Sequence, residues 1–313
     1  MRFSAWLFLF LALPLASILS AQEPAPMIVE PEWTLLANDL DFPEGPAWDG
    51  SGTLYFSSCL GEFLGRVDAS GYSVFVSHDE QREKWQRTNG LTVGADGAVY
   101  ACEWAETGGA ILRITPDGQI SALTRDFNGA RYNRPNDLIF DPNGNLYFTD
   151  PNSYGADKPD GVVYRIDHAT GAVSIARAGF CFSNGLAFSA DGSHLYLAES
   201  ARTRVLRMAV NSDGTLGEPE VFVDMPGGDP DGMNFDADGN LYIAHFGGGH
   251  VWVVAPDGSV LRKIKTPGKK PSNVEFGGPD LRTLFLTEDE TNSVYRTRVE
   301  TPGLPLFHHP DRQ

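Results

Sequence analysis

The sequence contains little cysteine, which excludes a small scaffold held together by disulfide bonds. Its 313 residues include only three cysteines, Cys59, Cys102 and Cys181, and three are too few for a disulfide framework. A single bridge is one interpretation, with Cys59–Cys102 as the favoured pair because both residues fall near the end of the second strand in neighbouring sequence repeats. Burial as three free thiols is the equal alternative.

Positive charge is also scarce. The chain has 24 lysine and arginine residues against 41 acidic ones, which gives a formal net charge of −17. A surface this acidic repels the phosphates of nucleic acids and anionic lipids, so neither is an expected partner. It favours cations and neutral small molecules.

Long apolar runs are confined to the N-terminus. Arg2 precedes a run from Ala5 to Leu19 that is broken only by Pro14 and one serine, and small residues lead up to Ala21. This pattern is typical of a secretory signal peptide over residues 1–21. An uncleaved anchor is the alternative, but the run is shorter than the ~20 residues of a membrane span. We expect cleavage near Ala21 and a secreted or periplasmic protein without a membrane span.

A short sequence motif recurs six times along the rest of the chain. Each copy places one polar residue ahead of a short apolar strand, at intervals of 45, 47, 48, 47 and 42 residues. A period of this size, with strands inside each repeat, indicates propeller blades. The copies FPEGPAW, RTNGLTV, RPNDLIF, FSNGLAF, DPDGMNF and KPSNVEF supply the residues that we call the inner ring: Glu44, Asn89, Asn136, Asn184, Asp231 and Asn273.

Turn dipeptides divide each repeat into four strands. Pairs such as Asp96-Gly97 supply the positive φ angles of two-residue hairpin turns. Four strands in each of six repeats predict an all-β fold, a six-bladed β-propeller over residues 32–302, between a linker at 22–31 and a tail at 303–313. The last repeat is one strand short, and we expect Trp33–Ala37 to complete it and close the ring.

A second set of polar residues ends the second strand of each repeat. Because antiparallel strands run back on each other, these residues return to the end of the channel that carries the inner ring. We call them the second ring: Ser58, Glu103, Asp150, Glu199, His245 and Glu288. Together the two rings predict an oxygen-rich site.

Such a site suits a hard divalent cation, Ca²⁺ first and Mg²⁺ or Mn²⁺ next. Glu44 and Asp231 would balance its charge, and Asn136 and Asn184 would add neutral oxygen ligands. Zn²⁺ prefers His or Cys, and only His245 is placed for it. In the alternative interpretation, the inner-ring side chains only bind neighbouring backbone groups at turns.

At these residues the chain resembles the gluconolactonase family, which includes regucalcin. FPEGPAW, NRPNDL, FSNGLAF, DPDGM and AHFGGGHVWV carry the resemblance, which spans the chain after the leader. It implies a central divalent cation on Glu44, Asn136, Asn184 and Asp231, and a contact from Arg134 to a sugar lactone. The third repeat departs from the regucalcin branch, and the presence of Asn89 looks more like the bacterial secreted gluconolactonases.

We therefore expect an enzyme that hydrolyses an aldonolactone to the free acid. Asp231 is the expected general base, with Asp150 or His245 in reserve. Substrate contacts are expected from Arg134, Asn89, Asp150 and His245. The alternatives are a secreted propeller that binds a sugar or protein partner around a structural metal, and another ester or phosphotriester hydrolase on the same scaffold.

Overall fold

The computed structural model describes Met1 and residues 26–78, 85–105 and 108–305. These residues form 27 strands and one short 3₁₀ helix, Ser200–Arg202. The predicted signal peptide beyond Met1, and the tail from residue 306 onward, lie outside the described residues. The described part contains no helix of sufficient length and apolarity to span a membrane.

Six antiparallel sheets of the same up-and-down order form the six blades, as the sequence predicts. Blade one comprises β3 (Pro43–Trp48), β4 (Leu54–Ser58), β5 (Phe63–Asp68) and β6 (Gly71–Ser77), and blade two comprises β7 (Thr88–Val93), β8 (Val99–Glu103), β9 (Ile111–Ile114) and β10 (Ile120–Thr124). A small hairpin, β11 (Asp126–Phe127) and β12 (Ala130–Arg131), leads to blade three, which comprises β13 (Leu138–Phe140), β14 (Leu146–Asp150), β15 (Gly161–Ile166) and β16 (Val173–Phe180).

The second half of the ring repeats this order. Blade four comprises β17 (Ser183–Phe188), β18 (His194–Glu199), β19 (Arg204–Ala209) and β20 (Glu220–Asp224). Blade five comprises β21 (Asp229–Phe235), β22 (Leu241–Phe246), β23 (His250–Val254) and β24 (Val260–Lys265), and blade six has β25 (Pro271–Gly277), β26 (Thr283–Glu288) and β27 (Ser293–Arg298). The predicted hairpin turns are present; Gly97, for example, has φ +72°.

Hydrophobic packing between blades holds the ring together. The described residues contain six buried clusters, one at each junction between neighbouring blades. At the first junction, Leu64 of blade one packs with Leu91 and Leu112 of blade two. Because each sheet buries both faces in this way, the inner strands are fixed around the central channel.

The ring closes through β2 (Thr34–Ala37), which lies antiparallel to β27 and completes blade six. The predicted closure by an N-terminal strand is therefore confirmed. The pairing joins the two ends of the propeller and leaves no open junction between blades six and one.

The described part of the predicted linker, residues 26–31, contains a strand. β1 (Met27–Val29) lies parallel to β24 as a fifth strand of blade five. Glu30 then pairs with Lys265 at 3.0 Å, and the Trp33 indole donates a hydrogen bond to the Lys265 carbonyl at 2.8 Å. The outer edge of blade five offers unpaired backbone groups, and the N-terminal segment covers them.

The three cysteines are buried and free, so of the two equal interpretations the free thiols are confirmed and the Cys59–Cys102 bridge is wrong. The Cys59 thiol donates a hydrogen bond to the Thr88 carbonyl at 2.7 Å. Cys102 instead packs into the hydrophobic cluster between blades two and three. The two sulfurs therefore have separate environments, despite matching places in their repeats.

Candidate active site in the central channel

The inner strands place all six inner-ring side chains in buried positions. A bulge follows the ring residue in several of these strands, for example between Glu44 and Ala47. Bulges re-aim the side chains beside them. The repeated sequence thus becomes one ring of polar groups around the channel.

Glycines after the ring residues let neighbouring inner strands approach closely. A side chain at Gly185 would collide with the Asp231 carbonyl oxygen of the next blade. The contact between blades two and three includes a backbone hydrogen bond from Gly90 to the Asn136 carbonyl at 2.7 Å. Ring residues of adjacent blades are therefore neighbours, and the side chain of Asn184 lowers the pKa of Asp231 in the next blade.

Glu44 and Asp231 form an acidic centre without a compensating charge. Burial raises the pKa of Glu44 well above its usual range, and the charges of Asp231 and Asp289 raise this pKa further. Burial also raises the pKa of Asp231, with Asp289 as the largest charged contributor. Among the described residues, neither carboxylate forms an ion pair with a basic side chain. Two buried carboxylates that act on each other need a cation to remain ionised together.

The donors present fit a hard cation. Glu44 and Asp231 offer carboxylate oxygens, and Asn136 and Asn184 offer carboxamide oxygens from intervening blades; this is the chemistry preferred by Ca²⁺ and Mg²⁺. In the described part of the chain, no group of three or more His, Cys, Asp and Glu side chains is arranged to hold a metal ion. The proposed set contains only two residues of those types.

Five of the six second-ring residues accept a hydrogen bond from the backbone N–H three residues before an inner-ring residue. Both oxygens of Asp150 accept hydrogen bonds, from the Asn133 and Arg134 N–H groups at 2.8 and 2.9 Å. The other acceptor–donor pairs are Ser58 with Asp41 N, Glu103 with Gln86 N, Glu199 with Cys181 N, and Glu288 with Lys270 N. These side chains position the inner ring, and Asp150 is left a poor candidate for a reserve base or a substrate contact.

His245 occupies the equivalent place in blade five and is also turned into the protein. Its Nε2 lies 3.2 Å from the Met225 carbonyl oxygen, and its ring packs edge-on against Trp252 with centroids 5.1 Å apart. Burial lowers the pKa of His245, which favours the neutral imidazole. This packing makes it a poor candidate for a zinc ligand, a base or a substrate contact.

Asp289 is a residue that the sequence reasoning missed. It directly follows the second-ring residue Glu288, and burial raises its pKa to about 8. Its Oδ1 is buried and has no hydrogen-bond partner within the described residues. Its charge acts on both Glu44 and Asp231. The sequence did carry a signal for Asp289. Successive side chains of a strand point to opposite sides, so when a second-ring side chain binds the backbone, the residue after it points toward the channel.

The residues two positions before the inner ring form a rim around the mouth. They are Phe42, Arg87, Arg134, Phe182, Asp229 and Pro271. On one side Trp104, which follows Glu103, carries the guanidinium groups of Arg87 and Arg134 at 5.7 and 5.5 Å from its ring centroid, and Phe42 stacks with it at 6.4 Å.

A loop of blade three crosses the other side of the rim. The Tyr154 hydroxyl donates a hydrogen bond to Asp229 at 2.7 Å, and its ring packs edge-on against Phe182. Tyr154 thus bridges blades three and five over blade four, and its side chain is 57% exposed at the mouth. Of these rim contacts, only Arg134 was predicted from the sequence.

Comparison with known proteins places this site in a family. Residues 42–289 match the model of the SMP-30/Gluconolactonase/LRE-like region. The gluconolactonase of Zymomonas mobilis is 32% identical over 299 residues, which cover 86% of this chain and 82% of that one. A 6-deoxy-6-sulfogluconolactonase of Pseudomonas putida is 34% identical over 63% of this chain and 74% of its own length.

A solved structure agrees with the sequence relatives. The gluconolactonase of Xanthomonas campestris superposes with a TM-score of 0.74 at 29% identity, and the match covers 86% of this chain and 89% of that one. The chain therefore belongs to the SMP-30/gluconolactonase/LRE-like family and is a lactone-hydrolysing enzyme built on a six-bladed propeller.

Proposed function

We propose that this enzyme opens a sugar lactone of the aldonolactone type to the free acid, with a divalent cation held by Glu44, Asn136, Asn184 and Asp231. One observation carries the proposal: two buried carboxylates share the channel with no basic partner among the described residues. Ca²⁺ is the first candidate, and Mg²⁺, Mn²⁺ and Zn²⁺ are the alternatives. When bound, such an ion polarises the carbonyl of the lactone.

Asp231 is the proposed general base. It removes a proton from water as the water oxygen bonds to the lactone carbonyl carbon, and the proton passes to the ring oxygen as the ester bond breaks. Asn184 lowers the pKa of this carboxyl group, which favours the ionised form that a base requires. Asp289 replaces Asp150 as the reserve base, because the Asp289 Oδ1 atom has no partner in the described structure whereas both Asp150 oxygens accept backbone hydrogen bonds. His245 is set aside because its ring is packed against Trp252.

The substrate contacts are assigned to the mouth of the channel. Arg134 lies two residues before Asn136 at the rim, and Asn89 lies in the inner ring of the neighbouring blade. Their guanidinium and carboxamide groups suit hydrogen bonds to sugar hydroxyls. Since one relative is named for a sulfonated gluconolactone, charged lactones belong in any substrate panel.

The test is acid release from a lactone panel by chain lacking residues 1–21, after chelation and reloading with each of the four cations. Asp231→Asn should retain the fold and lower kcat by ~100-fold or more. The outer-strand variant Asp224→Asn is the matched control and should keep full activity. If no cation supports lactone opening above the buffer rate, the proposal fails and the binding-protein alternative takes its place.

We also propose that the enzyme works outside the cytoplasm, as a secreted or periplasmic protein. The basic start, apolar run and small residues before Gln22 support this. Expression of the full chain in a bacterium, fractionation and N-terminal sequencing should recover mature protein that begins near Gln22. Intact chain in the cytoplasm would refute the proposal.

A further inference from the structure

The rim of the channel is divided by charge. Arg87 and Arg134 lie together on the side of blades two and three, and Asp229 lies on the side of blade five. Below the rim, Glu44, Asp231 and Asp289 make the floor acidic. An anion that enters this mouth is therefore attracted to one side only.

Specific contacts hold the two arginines in place on their side of the rim. Trp104 carries both guanidinium groups on its ring, and its backbone N–H donates a hydrogen bond to the Arg87 carbonyl at 2.8 Å. The backbone of Arg134 is held by the Asp150 carboxylate. Stacking engages the face of the Arg134 guanidinium and leaves the N–H groups at its edge for a ligand.

Arg134 stands out because the chain is so acidic. It is exposed, and within the described residues no carboxylate forms an ion pair with it. Arginines elsewhere, such as Arg113 and Arg298, pair with carboxylates at 2.6 Å. With 41 acidic residues in the sequence, a rim arginine that none of the described acids neutralises is positioned to receive an acid from outside.

From this arrangement we infer that the preferred lactone carries an anionic substituent at the end remote from its carbonyl, and that Arg134, stacked on Trp104, binds that group. The inference rests on the proposed function and adds its substrate class. Carboxylate, sulfonate and phosphate share the required chemistry, because each accepts paired hydrogen bonds from a guanidinium fork. The lactone carbonyl then points toward Glu44 and Asp231, and the neutral middle of the sugar passes Tyr154.

The experiment measures kcat/KM for neutral glucono-1,5-lactone and for its 6-phospho, 6-sulfo and 6-carboxylate counterparts. We expect the wild-type enzyme to prefer at least one anionic lactone by ~10-fold or more, since charge-assisted hydrogen bonds supply that much. The preference should shrink as salt is raised. The three anionic substrates separate the three substituents.

Arg134→Gln should reduce the ratio of anionic to neutral kcat/KM by ~10-fold or more, and Arg134→Lys should restore part of it. Arg207→Gln is the matched control, because Arg207 pairs with Glu220 on an outer strand. If Arg134→Gln does not fold, Arg134→Lys and the salt dependence of the wild type replace it.

Two outcomes overturn the inference: equal or better activity on the neutral lactone, or a ratio that Arg134→Gln leaves unchanged. Either result would leave the proposed lactonase function intact, because a lactone is still opened. If neither neutral nor anionic lactones are opened with any cation, the proposed function fails first, and the substrate class fails with it.

Discussion

Glu275 gives a stability prediction whose size and sign follow from the structure. It lies on the inner strand of blade six, and burial raises its pKa from 4.5 to about 8. Its Oε1 accepts hydrogen bonds from Asn234 Nδ2 at 2.8 Å and from the Phe276 N–H at 2.7 Å. Between the two pKa values the folded chain holds a proton that the unfolded chain releases, so the free energy of unfolding falls as pH rises through this window.

At pH 7 the uptake of this proton costs about 3 kcal/mol, from ~2.5 pH units at ~1.4 kcal/mol each. Glu275→Gln removes the cost and keeps an oxygen for both donors. The glutamine amide also adds an N–H group that has no acceptor, and this lowers the free energy of unfolding by roughly 1 kcal/mol. We therefore expect a net gain of about 2 kcal/mol at pH 7, or ~4 °C in Tm for a domain of this size, and no gain near pH 4.

Urea unfolding of both proteins at about pH 5, 7 and 8.5, with free Ca²⁺ held constant, measures the effect. The gain of the variant should grow with pH. Glu300→Gln, at an exposed position, is the control and should show no such growth. A difference between wild type and Glu275→Gln that is the same at every pH would refute the linkage argument.

Three further predictions concern the site. Chelation should lower Tm and Ca²⁺ should restore it, because Ca²⁺ at a hundredfold excess over Kd adds about 2.7 kcal/mol to the free energy of unfolding. Glu44→Gln should weaken this response to Ca²⁺ more than Asn89→Ala does. Equal Tm values with and without metal, with the metal content verified by elemental analysis, would rule out the metal site. Asp289→Asn should lower kcat with little change in KM if Asp289 exchanges protons with the substrate, and unchanged pH–rate profiles would exclude that role. Asp150→Asn weakens the acceptor of the Asn133 and Arg134 N–H groups, so we expect the free energy of unfolding in urea to fall by ~1.5–3 kcal/mol. KM should rise because Arg134 is then held less firmly. Asp224→Asn is the control, and wild-type stability of Asp150→Asn would contradict the positioning role.

The sequence alone determined the architecture, because the information lies in short segments. Blades two to five each contain a strand, an Asx-Gly turn and a second strand, and the strand pattern recurs in all six repeats. The inner ring follows from the same repeated motif, because Glu44 and Asp231 occupy equivalent positions in its first and fifth copies. Even the closure by Trp33–Ala37 could be predicted, because the last repeat lacked a strand and an unassigned strand preceded the first.

Only the tertiary structure decided which side chains face the channel. Successive residues of a strand point to opposite sides, so an error of one position exchanges a channel residue for a backbone anchor. This is why Asp150 and His245 were expected at the site, whereas Trp104 and Asp289 were missed.

Contacts between distant segments were equally beyond the sequence. Tyr154 meets Asp229 across 75 positions of the chain, and Met27–Val29 joins blade five beside β24. The two arginines beside Trp104 come from the starts of different blades. The periodicity of the sequence does not predict these contacts, because they depend on the angle between neighbouring blades and on the path of the loops at the mouth.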